Sequence, residues 1–92
     1  MPQVDFEVKP AEGIQAYWIA VGQSDVLLVS GKGNIALEAG KRHTLVWWFV
    51  GDEGKAISIT GKVGERKIVE VKESKVPKGE TEGSGSKKFD LV

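Results

Sequence analysis

The chain has 92 residues, with 13 Lys and Arg against 13 Asp and Glu, one His, 12 Gly, three Pro and no Cys. A chain this short forms one small domain that buries roughly 60 to 65% of the surface its unfolded form exposes, so its apolar segments share one core and no cleft between domains is available. Zero formal net charge argues against a general nucleic-acid binder, which concentrates Lys and Arg in excess, and the lack of Cys removes disulfides, zinc ribbons and thiol nucleophiles together.

The pattern is of period two almost throughout, broken at short intervals by glycine. Val4, Phe6 and Val8 alternate with Asp5, Glu7 and Lys9, a half-buried strand with a charged outer face. Ile14 to Val21, a Gly22-Gln23-Ser24-Asp25 turn and Val26 to Ser30 read as a hairpin. After Gly31-Lys32-Gly33-Asn34, Ile35 to Glu38 is a short strand, and Ala39 to Arg42 is a corner leading into His43 to Val50. Gly51-Asp52-Glu53-Gly54 predicts a second hairpin onto Lys55 to Thr60, and Gly61-Lys62-Val63-Gly64 a turn into Glu65 to Lys72. Composition then changes. Residues 74–88 carry Pro77, Gly79, Gly83 and Gly85 among Ser, Thr, Lys and Glu, with Val76 as the one large apolar side chain. They read as a flexible tail or a long loop. Phe89, Leu91 and Val92 restore apolar character, either as a last docked edge strand (89–92) or as an exposed recognition tail. Docking is favoured, since a Phe and a Leu left in water forfeit about 1.5 to 3 kcal/mol each. The domain therefore covers 1–73.

About seven short antiparallel strands with regular turn signals predict an all-β sandwich, with a small five-stranded barrel as the alternative. The stretch Ile35-Ala36-Leu37-Glu38-Ala39-Gly40-Lys41-Arg42-His43-Thr44-Leu45 resembles the corner of immunoglobulin-like and transthyretin-like accessory β-sandwiches, where the chain passes from one sheet into the central strand of the other. The resemblance implies an immunoglobulin-like fold and no particular activity. In such domains a corner Tyr bonds to the backbone a few residues upstream; His43 stands at the matching position here.

The apolar run from Leu45 to Val50 is far shorter than the ~20 residues of a membrane-spanning helix. Met1 to Asp5 has neither the basic nor the apolar region of a secretory signal. These features point to a cytoplasmic protein without membrane contact, with a domain excised from an exported or surface protein as the alternative.

Candidate chemistry is sparse. His43 is the only imidazole and has no Ser and acid arranged around it, so it reads as a corner residue with a satisfied ring nitrogen rather than a base. Asp5 and Glu7 form a solvated strand face, and Asp52 and Glu53 lie in a turn, where acids are common for turn reasons. Two acids fall short of the six to eight oxygens that calcium takes. No glycine-rich run feeds a helix as a phosphate loop does. The expectation is therefore no enzyme, no cofactor and no metal, with a small hydrolase as a distant third reading.

The informative feature is aromatic. In Ile14 to Val21 and His43 to Val50, both strand faces are apolar: Trp18 opposes Tyr17, and Trp47 opposes Trp48. Val26 to Val29 behaves likewise. A free-standing sandwich needs only one apolar face per strand, so something should cover the other. Three coverings are open: the C-terminal segment or a long connection, a protein partner or second copy, or a sugar stacked on coplanar aromatics. The expected function is a binding module for protein contact or self-association through Tyr17, Trp18, Trp47 and Trp48, one from each neighbouring pair facing outward. A carbohydrate-binding module is the alternative, and nucleic acid is not expected.

Overall fold

The computed structural model describes residues 1–91. It contains eight strands: β1 (Gln3–Pro10), β2 (Ile14–Val21), β3 (Ser24–Val26), β4 (Lys32–Ala36), β5 (Lys41–Gly51), β6 (Ala56–Val63), β7 (Arg66–Lys75) and β8 (Glu82–Leu91). They form two four-stranded sheets, ordered β4-β1-β6-β7 and β3-β2-β5-β8, and every pairing is antiparallel. The protein is thus a two-sheet sandwich of eight strands, where seven were expected, and it is not a barrel.

The additional strand is β8, which takes in the docked last strand expected from Phe89 and runs back to Glu82, through residues expected to be a flexible tail or a long loop. β8 pairs with β5 without a break from Val50↔Glu82 to Lys41↔Leu91. Its glycines are packing devices. Gly83 lies opposite Phe49 and Gly85 opposite Trp47, and a Cβ at either position would overlap the facing ring. Each β5 ring covers the backbone opposite it, so a Gly-Ser pattern that resembles a linker is a strand whose inward side chains are supplied by its neighbour. Phe89 and Leu91 are buried in the core, and Ser74 and Lys75 are the last residues of β7. Val92, the final residue of the expected 89–92 strand, lies outside the described residues.

The turns differ in detail from the expected ones. Two of them are two-residue hairpin loops, Gly22–Gln23 between Val21↔Ser24 and Gly64–Glu65 between Val63↔Arg66. In each, the first loop residue is a glycine at positive φ, 62° at Gly22 and 61° at Gly64, as a type II′ turn requires. Residues 51–54 make no hairpin. They carry the chain from one sheet to the other, because β5 pairs only with β2 and β8 while β6 pairs with β1 and β7. Gly61, expected in a turn, sits inside β6, where a Cβ would come within 2.8 Å of the Phe6 ring and 2.6 Å of Val69.

The core lies between the sheets and follows from alternation. Val4, Phe6 and Val8 of β1, Ile57 and Ile59 of β6, and Val69 and Val71 of β7 face Ile19 and Val21 of β2, Leu45, Trp47 and Phe49 of β5, and Phe89 and Leu91 of β8. Each such side chain contributes about 1.5 to 3 kcal/mol by leaving water. Phe6 and Phe89 meet edge to face across the gap, with centroids 6.4 Å apart and planes at 72°, the arrangement favoured by the ring quadrupoles.

Candidate functional site

The four aromatic residues separate by parity. Tyr17 is half-buried and packs against the core, and Trp47 is 8% exposed. These two face the inner side of the sheet and do not join the exposed indole pair. Trp47 reaches across to the first sheet, where its indole N–H donates to Ser74 Oγ at 3.0 Å. A buried indole needs such a partner, and its position is fixed by that bond together with the space left at Gly85.

Trp18 and Trp48 point the other way and are 50% and 41% exposed. They are register partners on β2 and β5, and their rings stack with centroids 4.4 Å apart and planes at 22°. Cross-strand neighbours on one face approach closely enough for this, and an aromatic pair there adds about 0.5 to 1 kcal/mol beyond an alanine pair. Alternation puts Ala16, Ala20, Val46 and Val50 on the same side of the sheet. The resulting strip is apolar along the two central strands. Ser84 and Ser86 of β8 flank it on one side and Asp25 of β3 on the other.

Of the three coverings expected for this strip, the internal one does not occur among the described residues. The C-terminal segment extends the sheet at its edge as β8 and does not fold over the face. Two shallow depressions adjoin the indoles. One, of about 140 Å³, is lined by Trp18, Asp25, Val46 and Trp48 among others; a second, of about 380 Å³, by Tyr17, Trp18, Asp25, Val26, Leu27 and Leu28.

Leu27 and Val29 fall in the segment expected from the sequence to be a strand with two apolar faces. The strand ends at Val26, and both residues lie on the chain that leaves it, 83% and 69% exposed. The signal was present in Gly31 and Gly33. A Cβ at Gly33 would collide with the Leu27 carbonyl, and Ser30 and Gly31 both have positive φ, so this segment is a tight crossing to β4.

His43 donates its Nε2–H to the Glu38 carbonyl at 2.8 Å and lies 5.8 Å from the Phe89 ring, centroid to centroid. The imidazole thus ties the start of β5 to the backbone five residues upstream. Asp52 and Glu53 serve the crossing between the sheets. The Asp52 carbonyl accepts from Lys55 N–H, and Glu53 Oε1 from Gly79 N–H at 2.7 Å. Among the described residues no group of three or more His, Asp or Glu is arranged to hold a metal ion.

The resolved electrostatic perturbations lie at surface pairs. Arg42 bonds Asp90 at 2.9 Å and holds that carboxyl below its ordinary range, while the Arg42 guanidinium is raised in return. Lys67 does the same to Glu70. Neither pair adjoins the tryptophan strip.

Comparison of this chain with protein-family models, with curated proteins and with solved structures finds no match in any of the three.

Proposed function

We infer that this domain is a non-enzymatic binding module whose contact surface is the strip centred on Trp18 and Trp48, and that the surface meets protein, either a second copy or another chain. The observation that carries the reading is the stacked, half-exposed indole pair on an uncovered apolar face. Two tryptophans bring large, rigid contact area at small entropic cost, which is why they are enriched at the centres of interfaces. An exposed apolar strip bounded by serines and an acid also has the layout of an apolar contact centre with a polar rim.

The stacking weighs against the carbohydrate alternative. A sugar platform offers ring faces side by side, whereas Trp18 and Trp48 turn one face each toward the other. We also read the topology as immunoglobulin-like. The order β3-β2-β5-β8 with β1 paired to β4 matches such domains in its central strands, and the β6–β7 hairpin enters beside β1, where those domains keep their first strand.

Sedimentation over rising concentration tests the self-contact form. A dimer that dissociates in Trp48→Ser, with the fold retained by circular dichroism, supports it. If the protein is strictly monomeric, contact with another chain is the form left. Titration with soluble polysaccharides, read by tryptophan fluorescence, tests the alternative; a saturable shift abolished by Trp18→Ala would replace the protein reading.

A further inference from the structure

β2 begins at Ile14, but β3 pairs with it only at Ile19, Ala20 and Val21. From Ile14 to Trp18 the strand has β5 on one side and no strand on the other. The direction of its backbone groups follows from parity. Gly22 N–H donates to the Thr44 carbonyl on β5, and the β2–β5 register is regular from Ala16 to Val21. Even-numbered residues therefore turn their backbone groups to β5, and Tyr17, Ile19 and Val21 turn theirs to the opposite edge. Ile19 and Val21 meet β3 there. Tyr17 does not, and among the described residues no backbone hydrogen bond from another segment reaches it.

This open edge is unlike the others. Lys32 on β4, Lys67, Lys72 and Lys75 on β7, and Lys87 and Lys88 on β8 supply the charges that discourage strand addition. Ile14 to Trp18 and Ser24 to Val26 contain no Lys, Arg or Pro. Where the chain turns away from β2 after Val26, it leaves the depression of about 380 Å³, lined by Tyr17, Trp18, Val26, Leu27 and Leu28. Asp25 lines it too and makes no ion pair among the described residues.

We propose that this fork receives an extended segment of a partner protein, which adds as a strand to the free edge of β2, inserts an apolar side chain between Tyr17 and Leu28, and sets a Lys or Arg against Asp25. The unpaired N–H and C=O of Tyr17 require an extended backbone, the depression selects an apolar side chain, and the lone carboxylate selects a cation; together they describe strand addition with a pocket for specificity. The proposal rests on the protein-contact reading above and names the kind of partner.

The probes are two peptides of about eight residues, alternating Val and Thr, one with a single central Arg and the other with Glu in its place. Added to the ¹⁵N-labelled protein, the Arg peptide is expected to shift the amides of Tyr17, Asp25, Val26, Leu27 and Leu28. It should also slow exchange at the Tyr17 amide by about tenfold or more and bind more tightly than the Glu peptide. Asp25→Asn, a change at an exposed hairpin position, should abolish that preference and leave the free spectrum otherwise intact. Binding of neither peptide at these amides overturns the proposal. So does binding confined to the Trp48 indole with Tyr17 still exchanging freely, and that result would leave the protein-contact reading standing. Concentration-dependent protection of Tyr17 without peptide would make a second copy the occupant of the edge, which also overturns it.

Discussion

The indole of Trp47 lies across the backbone of Gly85, its register partner on β8, in the space a Cβ at that position would fill. Gly83 holds the same relation to Phe49, which is fully buried. The two glycines make β8 a strand that closes the core with its neighbour's side chains. Replacing either by a residue with a side chain forces a ring out of place. Gly83→Ala and Gly85→Val are each expected to destabilise the fold by about 1 to 3 kcal/mol, read as a lower midpoint in urea unfolding. Ser84→Thr, one position away on the exposed face, should change it little, which separates ring displacement from general strand propensity.

The bond from Trp47 to Ser74 joins the two sheets through side chains at a partly buried site. Ser74→Ala leaves the indole N–H without that acceptor and is expected to cost about 1 to 3 kcal/mol. Its indole N–H resonance should move and exchange faster, while Trp18 and Trp48 keep theirs. An unchanged Trp47 signal would mean that the bond does not hold the ring.

Trp18 and Trp48 stack closely enough for their excited states to couple. The protein should show an exciton couplet in far-ultraviolet circular dichroism that disappears in both Trp18→Ala and Trp48→Ala. Loss of the pair should lower stability by about 0.5 to 1.5 kcal/mol. A couplet surviving in either variant would show that the indoles do not stack in solution.

Asp90 titrates below its ordinary value of 3.8 because Arg42 donates to it and lies beside it as a cation. A carboxyl lowered on folding stabilises the folded state above its unfolded pKa, and that contribution is lost as pH falls through the lower, folded one. Arg42→Gln should raise the Asp90 titration midpoint, followed by NMR. It should also remove a small part of the stability difference between neutral pH and pH below that midpoint. Both groups are exposed, so the effect weakens with added salt.

Much of the fold is legible in the order of residues. The alternation of Val4, Phe6 and Val8, and of Leu45, Trp47 and Phe49, marks the inward faces, and the glycines at 22 and 64 mark hairpins. Strands with apolar residues on both sides mark a sheet whose outer face is apolar too; that the C-terminal segment pairs at its edge and leaves this face open is visible only in the sheet order. Residues 82–88 have the composition of a linker because a linker and a strand of small residues share it; what distinguishes them is the ring that lies opposite, and Phe49 and Trp47 are more than thirty positions away. Gly61 has the sequence signature of a turn for the same reason. Its role appears only when Phe6 is seen to lie against it.

The candidate site shows the same division. Period two requires that Trp47 and Trp48 part, and likewise Tyr17 and Trp18, since successive side chains on a strand point oppositely. It cannot say which of each pair is inside, because both are apolar and burial has no local sign. Tertiary structure decides that through the register of β5 against β2 and β8: Trp47 turns inward because Gly85 leaves room for it and Ser74 Oγ accepts the hydrogen bond from its indole N–H, and Trp48 is then directed outward onto Trp18. The early departure of the chain from β2 after Val26 is tertiary as well. It follows from the crossing to β4 at Gly31 and Gly33, where the backbone must pass closer than any side chain allows.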